Sequence, residues 1–125
     1  MSDNNDIYVI YTHNENGDDT EFVVEDMGAF MKSQEDLPSL VKGLEEKVSF
    51  QNDLMFGIKN GFIECKNETT GEDLSKAEIE YLNKAIPSNL RVIKRIREYL
   101  GWNSNPNIET SDYKINCLRQ KAFFN

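Results

Sequence analysis

Very few groups in this chain could carry out chemistry. His13 is the sole histidine, and Cys65 and Cys117 are the sole thiols. The cysteines stand 52 positions apart, a spacing that matches neither a metal knuckle nor a redox pair. One histidine with two distant cysteines falls short of the usual zinc donor set. Asn14, Asn16, Asp18 and Glu21 surround Gly17 and resemble a calcium loop in part. They lack its leading Asp and the Glu twelve positions on, and a hairpin tip explains the same residues. No phosphate-cradling glycine loop of either common type occurs. Carboxylates are so abundant that pairs of them carry no weight for glycoside chemistry. The expectation is therefore a protein that is not an enzyme and needs no metal or cofactor.

Charge is the stronger signal. The net charge is −8, and it is lopsided. Residues 1–53 hold thirteen Asp and Glu against three Lys, a net of −10; the remaining residues sum to +2. An acidic front half repels phosphates, which disfavours direct contact with nucleic acid or an anionic membrane. It favours a basic protein partner, whose encounter the field would steer. The residues expected to meet such a partner are Asp18, Asp19, Glu21, Glu25 and Asp26, followed by Glu35, Asp36, Glu45 and Glu46. Tyr8 is the expected aromatic anchor beside them. The competing reading is a solvated face that serves solubility. A second candidate surface is basic: Arg91, Lys94, Arg95 and Arg97 could grip an anion such as a nucleotide. Part of that basicity suits the negative end of a helix.

The elements that must position these groups follow from spacing. Ile7–His13 and Thr20–Glu25 read as strands around Asn16-Gly17, a strong hairpin signal. A two-residue turn there pairs Tyr11 with Phe22, Val9 with Val24 and His13 with Thr20, and this aromatic, β-branched face is expected inward. Residues 26–33 are either a helical turn or a connection. Asp36 is an expected N-cap, and Leu37, Leu40, Leu44 and Val48 recur at helical spacing with Val41 beside them. Gly43 inside that helix suggests a close approach by another element. Asn60-Gly61 predicts a second hairpin, with Leu54–Lys59 pairing with Phe62–Lys66.

Ser75 and Glu78 have capping-box spacing, and Pro87 is expected to end the helix they start. Ser88 then caps another helix, which runs to about Leu100 and stops at Gly101. Trp102 is expected to fold back on the core, and residues 103–111 form a loop. Tyr113, Ile115 and Cys117 alternate, which suggests a fifth strand over Tyr113–Arg119 with a helix as the rival.

The expected fold is α+β: an antiparallel sheet of two hairpins, a possible fifth strand, and about three helices on one face. Residues 1–5 would be a frayed end and 6–125 a single domain. No leader pattern or 20-residue apolar run is present, so a cytoplasmic location is expected. Small bacterial and phage inhibitor proteins share this profile in kind: short, acidic and without catalytic residues. The expected function is binding and inhibition of a basic protein, as an immunity protein against a toxin or as a phage anti-defence protein. A small-molecule or nucleotide-binding protein that uses the basic helix is the alternative.

Overall fold

The computed structural model describes residues 7–13 and 19–109. Their elements, in order, are β1 (Tyr8–His13), β2 (Asp19–Val24), α1 (Met27–Ser33), α2 (Leu37–Lys59) and α3 (Ser75–Tyr99). Together they make an α+β fold in which the two strands form a single antiparallel pair.

The first hairpin forms, but one residue out of the expected register. Tyr11 lies opposite Glu21, Ile10 opposite Phe22 and Tyr8 opposite Val24. Five residues, 14–18, separate the last pair, His13 and Asp19, so an odd connection replaces the even two-residue turn. Asn16 and Gly17 themselves lie outside the described residues. The shift changes which side of β1 is buried. Ile10, not Val9 or Tyr11, joins Val24 in the core, with Tyr8 packed against it. On β2 the even-numbered residues do point that way, although Phe22 stays 54% exposed.

The core fills the space between hairpin and helices. Met27 and Met31 of α1, Leu37, Val41, Leu44 and Val48 of α2, and Val92, Ile93 and Ile96 of α3 close around Ile10 and Val24. Asp26 caps α1 by accepting from the Ala29 N–H at 3.0 Å. Asp36 caps α2 as expected, accepting from the Ser39 N–H at 3.1 Å and its hydroxyl at 2.8 Å. The buried stripe of α2 matches the predicted leucine and valine spacing.

The second hairpin is not formed. Helix α2 continues through Leu54 to Lys59, and Asn60-Gly61 ends it. Gly61 takes the left-handed conformation, at φ +76°. The Phe62 N–H reaches the Gly57 carbonyl at 2.8 Å and the Gly61 N–H reaches that of Ile58 at 3.2 Å, which is a Schellman stop. The rings of Phe56 and Phe62 stack across it at 6.3 Å. An Asn-Gly pair suits a left-handed helix end as well as a hairpin turn. Burial of Gln51 and Ile58 in continuation of the α2 stripe goes with the helical choice.

Residues 75–99 form one helix where two were expected, with Pro87 inside it. Proline removes one backbone donor and is exposed here. Leu82, Ala85, Asn89, Val92 and Ile96 keep helical spacing across it without a change of phase, so burial of one continuous face carries the helix through. The capping box does not close. Leu74 is the N-cap, and the Asp73 carboxylate instead accepts from the Ser75 N–H at 3.0 Å. Gly101 stops α3 as expected, with the Trp102 N–H on the Arg97 carbonyl at 2.9 Å. Trp102 is 40% exposed, with the Arg97 guanidinium 5.4 Å from its ring centre, so it does not fold into the core. The expected fifth strand lies outside the described residues.

Helix α3 runs along the edge of β1 that β2 leaves open. Arg91 donates to the Ile7 carbonyl (2.7 Å), Ser88 to that of Val9, and Tyr81 to that of Thr12 (3.1 Å). Between them, Asn89 Oδ1 accepts the Tyr11 N–H at 2.8 Å, and its Nδ2 donates to the Tyr11 carbonyl at 2.9 Å and to Gln51 Oε1 at 3.0 Å. The side-chain amide of Asn89 thus replaces a neighbouring strand. The dimensions agree: residues 81–91 of a helix rise about 15 Å and residues 7–12 of a strand about 17 Å.

Replacing Asn89 with Leu strands the Tyr11 N–H and Gln51 Oε1 and leaves the Tyr11 carbonyl only the long Gln51 Nε2 contact at 3.4 Å, and should cost about 3 kcal/mol in chemical unfolding. The glycines should behave oppositely to each other. A methyl at Gly43 would meet nothing within 4 Å, so no close approach explains that residue, and Gly43→Ala should stabilise by about 1 kcal/mol. Gly61→Ala should destabilise by about 1 kcal/mol because of its positive φ.

Candidate functional site

Of the acidic residues singled out in the sequence, the fold keeps some together and gives others separate structural work. Asp19 and Glu21 lie on β2 with exposed side chains, and Glu25 is exposed just beyond it. Asp18 lies outside the described residues. Asp26 and Asp36 are exposed but serve as helix caps, and the Ser39 hydroxyl and N–H hold the Asp36 carboxyl below its ordinary range. Glu35 and Glu46 are exposed.

Glu45, expected on the solvent face of α2, is buried instead. Its Oε2 accepts from Arg97 at 3.2 Å and from the Asn107 N–H at 2.7 Å. Arg97 donates through its Nε to the Asn103 carbonyl at 2.6 Å. One acid from the expected partner face and one cation from the expected anion site are therefore bound to each other, and together they hold residues 103–109 against the helices. The remaining basic candidates divide. Arg91 lies 3.9 Å over the Tyr8 ring while donating to Ile7. Arg95 is half-buried, and Lys94 is exposed. Lys94 and Arg91 border a depression of about 350 Å³ with Leu90, Pro106 and Ile108, the place an anion with an apolar body would sit under the alternative reading. Tyr8, expected as an exposed anchor, is half-buried by the core and by Arg91.

The fold also assembles a group that spacing did not reveal. Val9 and Tyr11 of β1 share a side of the hairpin with Glu21 and Val23 of β2. Tyr81 of α3 meets Tyr11 there edge to face, with ring centres 5.9 Å apart. Burial first, then the charges of Asp19, Glu78 and Glu21, push the Tyr81 phenol from 10 to about 12. Tyr81 therefore lies within the field of acids from both β2 and α3. Glu78 and Tyr81 carried no signal in the sequence beyond helix spacing, because only the docking of α3 on β1 brings them to the strand. On the other side of β1, Thr12 borders a depression of about 430 Å³ with Glu46, Lys47 and Phe50, whose ring is 58% exposed.

The chemistry open to these groups is charge pairing and aromatic contact. Cys65, expected on a core-facing strand, lies half-buried after α2. Burial, then the charges of Glu78 and Asp73, raise its thiol pKa, which keeps it in the unreactive form. The backbone of His13 pairs with Asp19 at the open end of the hairpin, and Cys117 lies outside the described residues. Among the described residues no group of three or more His, Cys, Asp or Glu is placed to hold a metal ion. No helix among them is long and apolar enough to cross a membrane. No family model, curated protein or solved structure matches the chain.

The raised pKa of Tyr81 has a signed consequence. The folded state holds the phenolic proton more tightly than the unfolded state does. The stability this contributes is complete below pH 10 and is lost as pH rises towards about 12. Unfolding measured across that window should show a fall in stability that Tyr81→Phe flattens.

Proposed function

We propose that the protein is a non-catalytic inhibitor that binds a basic protein partner through the acidic side of its hairpin. The observation that supports this best is the row of exposed acids along the hairpin, Asp19, Glu21 and Glu25, with exposed Val23 and the edge-to-face pair of Tyr11 and Tyr81 on the side that Glu21 shares. Clustered carboxylates steer a cationic surface into place, and aromatic and apolar side chains supply the area that holds it. By covering a cationic cleft, such a surface would exclude the partner's own substrate.

Two partner classes fit this chemistry: a basic toxin such as a nuclease, which makes the protein an immunity factor, and a host defence enzyme, which makes it a phage anti-defence protein. Both place it in the cytoplasm. Glu25 and Glu35 would extend the contact, with Asp26 and Asp36 contributing charge while they cap their helices, whereas Glu46 lies by Thr12 on the other side of β1. The anion-binding alternative is the weaker, because Arg97 is committed to Glu45 and Arg91 to Ile7 and Tyr8.

The decisive experiment isolates the tagged protein with its partner and measures association by stopped flow. The partner should be basic, bind in equal stoichiometry and lose its activity when saturated. Glu21→Lys with Glu25→Lys should slow association about tenfold or more, with a larger effect at low salt. A partner bound at an unchanged rate by the double variant would remove the acidic hairpin from the interface. A saturated partner that still turns over would remove inhibition.

A further inference from the structure

The hairpin is a sheet of two strands with unequal edges. Ile7, just before β1, and Val9 and Tyr11 within it direct their carbonyl groups to α3, where Arg91, Ser88 and Asn89 donate to them. In an antiparallel pair, residues opposite one another turn their peptide groups either both inward or both outward. Val23 faces Val9 and Glu21 faces Tyr11, so the N–H and C=O groups of Val23 and Glu21 point away from β1, along the outer edge of β2. No described residue bonds to them. Among the described residues, growth of the sheet is thus closed on one side by α3 and open on the other.

We infer that this edge accepts an extended segment of the partner by strand addition, and that the segment alternates basic and apolar residues. The inference rests on the partner-binding function proposed above and specifies its mode. Three observations select the occupant. First, β2 carries neither Pro nor Lys, the usual blocks on edge pairing. Second, its acids disfavour a second copy of this chain: in antiparallel pairing of two β2 strands about a two-fold axis centred on residues 20 to 23, every register that pairs the outer edges sets at least one of Asp19, Glu21 and Glu25 against another acid, and like charges across a pair repel. A basic strand turns that repulsion into attraction.

Third, the two sides of the edge differ. Asp19, Glu21 and Val23 alternate with Phe22, which lies 6.0 Å from the Phe30 ring and is 54% exposed. Lysine or arginine in the added strand would lie beside Glu21, and its apolar residues beside Phe22. Backbone pairing would supply affinity and the alternation would supply selectivity.

The test uses capped synthetic peptides of about seven residues, a length usual for a strand. One alternates Lys with Val, a second alternates Glu with Val, and a third is the Lys-Val peptide N-methylated at alternate residues, in both phases. N-methylation keeps charge and removes the edge donors. The Lys-Val peptide should bind in calorimetry and slow hydrogen exchange at the Glu21 and Val23 amides, while the Glu-Val peptide should not bind. The better-placed N-methyl phase should weaken binding about tenfold. Glu21→Lys should reverse the preference between the first two peptides.

Val23→Pro removes an outward N–H that the hairpin does not use, so it should reduce binding with thermal stability retained; hydrogen exchange at Tyr8 and Ile10 confirms that the hairpin persists. Equal binding of the Lys-Val peptide and both N-methylated forms, or no exchange protection at Glu21 and Val23, overturns strand addition. Either result leaves the acidic-surface function standing if Glu21→Lys still slows the folded partner, and removes both if it does not.

Discussion

The tertiary arrangement depends on one amide. Asn89 is fully buried, and its side chain makes with the Tyr11 peptide the two hydrogen bonds that an adjoining strand would otherwise make. A two-stranded hairpin is marginal alone in water. Here its inner edge is completed by α3, and Gln51 ties the same amide to α2. Only one orientation of the Asn89 amide satisfies the Tyr11 N–H, the Tyr11 carbonyl and the Gln51 oxygen together. That requirement specifies the height of α3 along β1. The placement of Tyr81 beside Tyr11 follows from that height.

Charged groups in this protein divide between those that hold the fold and those left at its surface. Glu45 and Arg97 belong to the first kind. Their pairing is nearly dry, and removing one partner leaves a buried charge that costs more than the pair contributes. Asp26 and Asp36 satisfy helix N-termini and remain in water. Glu21 and Glu25 stay exposed at the surface, on and just beyond a strand whose outer edge meets no other described residue. An exposed edge flanked by acids resists pairing with its own copies. Under the proposed function the same acids would also select a cationic partner, so protection from self-association and partner choice would have a common electrostatic origin.

Helix ends explain the largest departure from the sequence-based expectation. Asn60-Gly61 and Asn16-Gly17 look alike as text, and each suits a backbone that must turn through the left-handed region. At Asn60-Gly61 the chain arrives from a helix whose buried stripe runs on through Gln51 and Ile58, so the glycine closes a Schellman stop and no strands form around it. Pro87 shows the converse. Its local effect argues for a break, yet the continuous buried face from Leu82 to Ile96 outweighs one missing backbone donor.

Local signals alone determined the cap at Asp36, the leucine and valine stripe of α2, the stop at Gly101 and the existence of the first hairpin. Each depends on neighbours within a turn or two, where spacing and residue type carry the physics. The register of that hairpin, the length of α2 and the continuity of α3 were decided only by tertiary structure, because each turns on which side chains another element buries. The candidate site divides the same way. Asp19 and Glu21 were legible as exposed acids from composition and alternation. The union of Glu45 with Arg97, and the arrival of Glu78 and Tyr81 beside the strand, were not, since contacts between residues 52 or 69 positions apart exist only once Asn89 has docked α3 on β1.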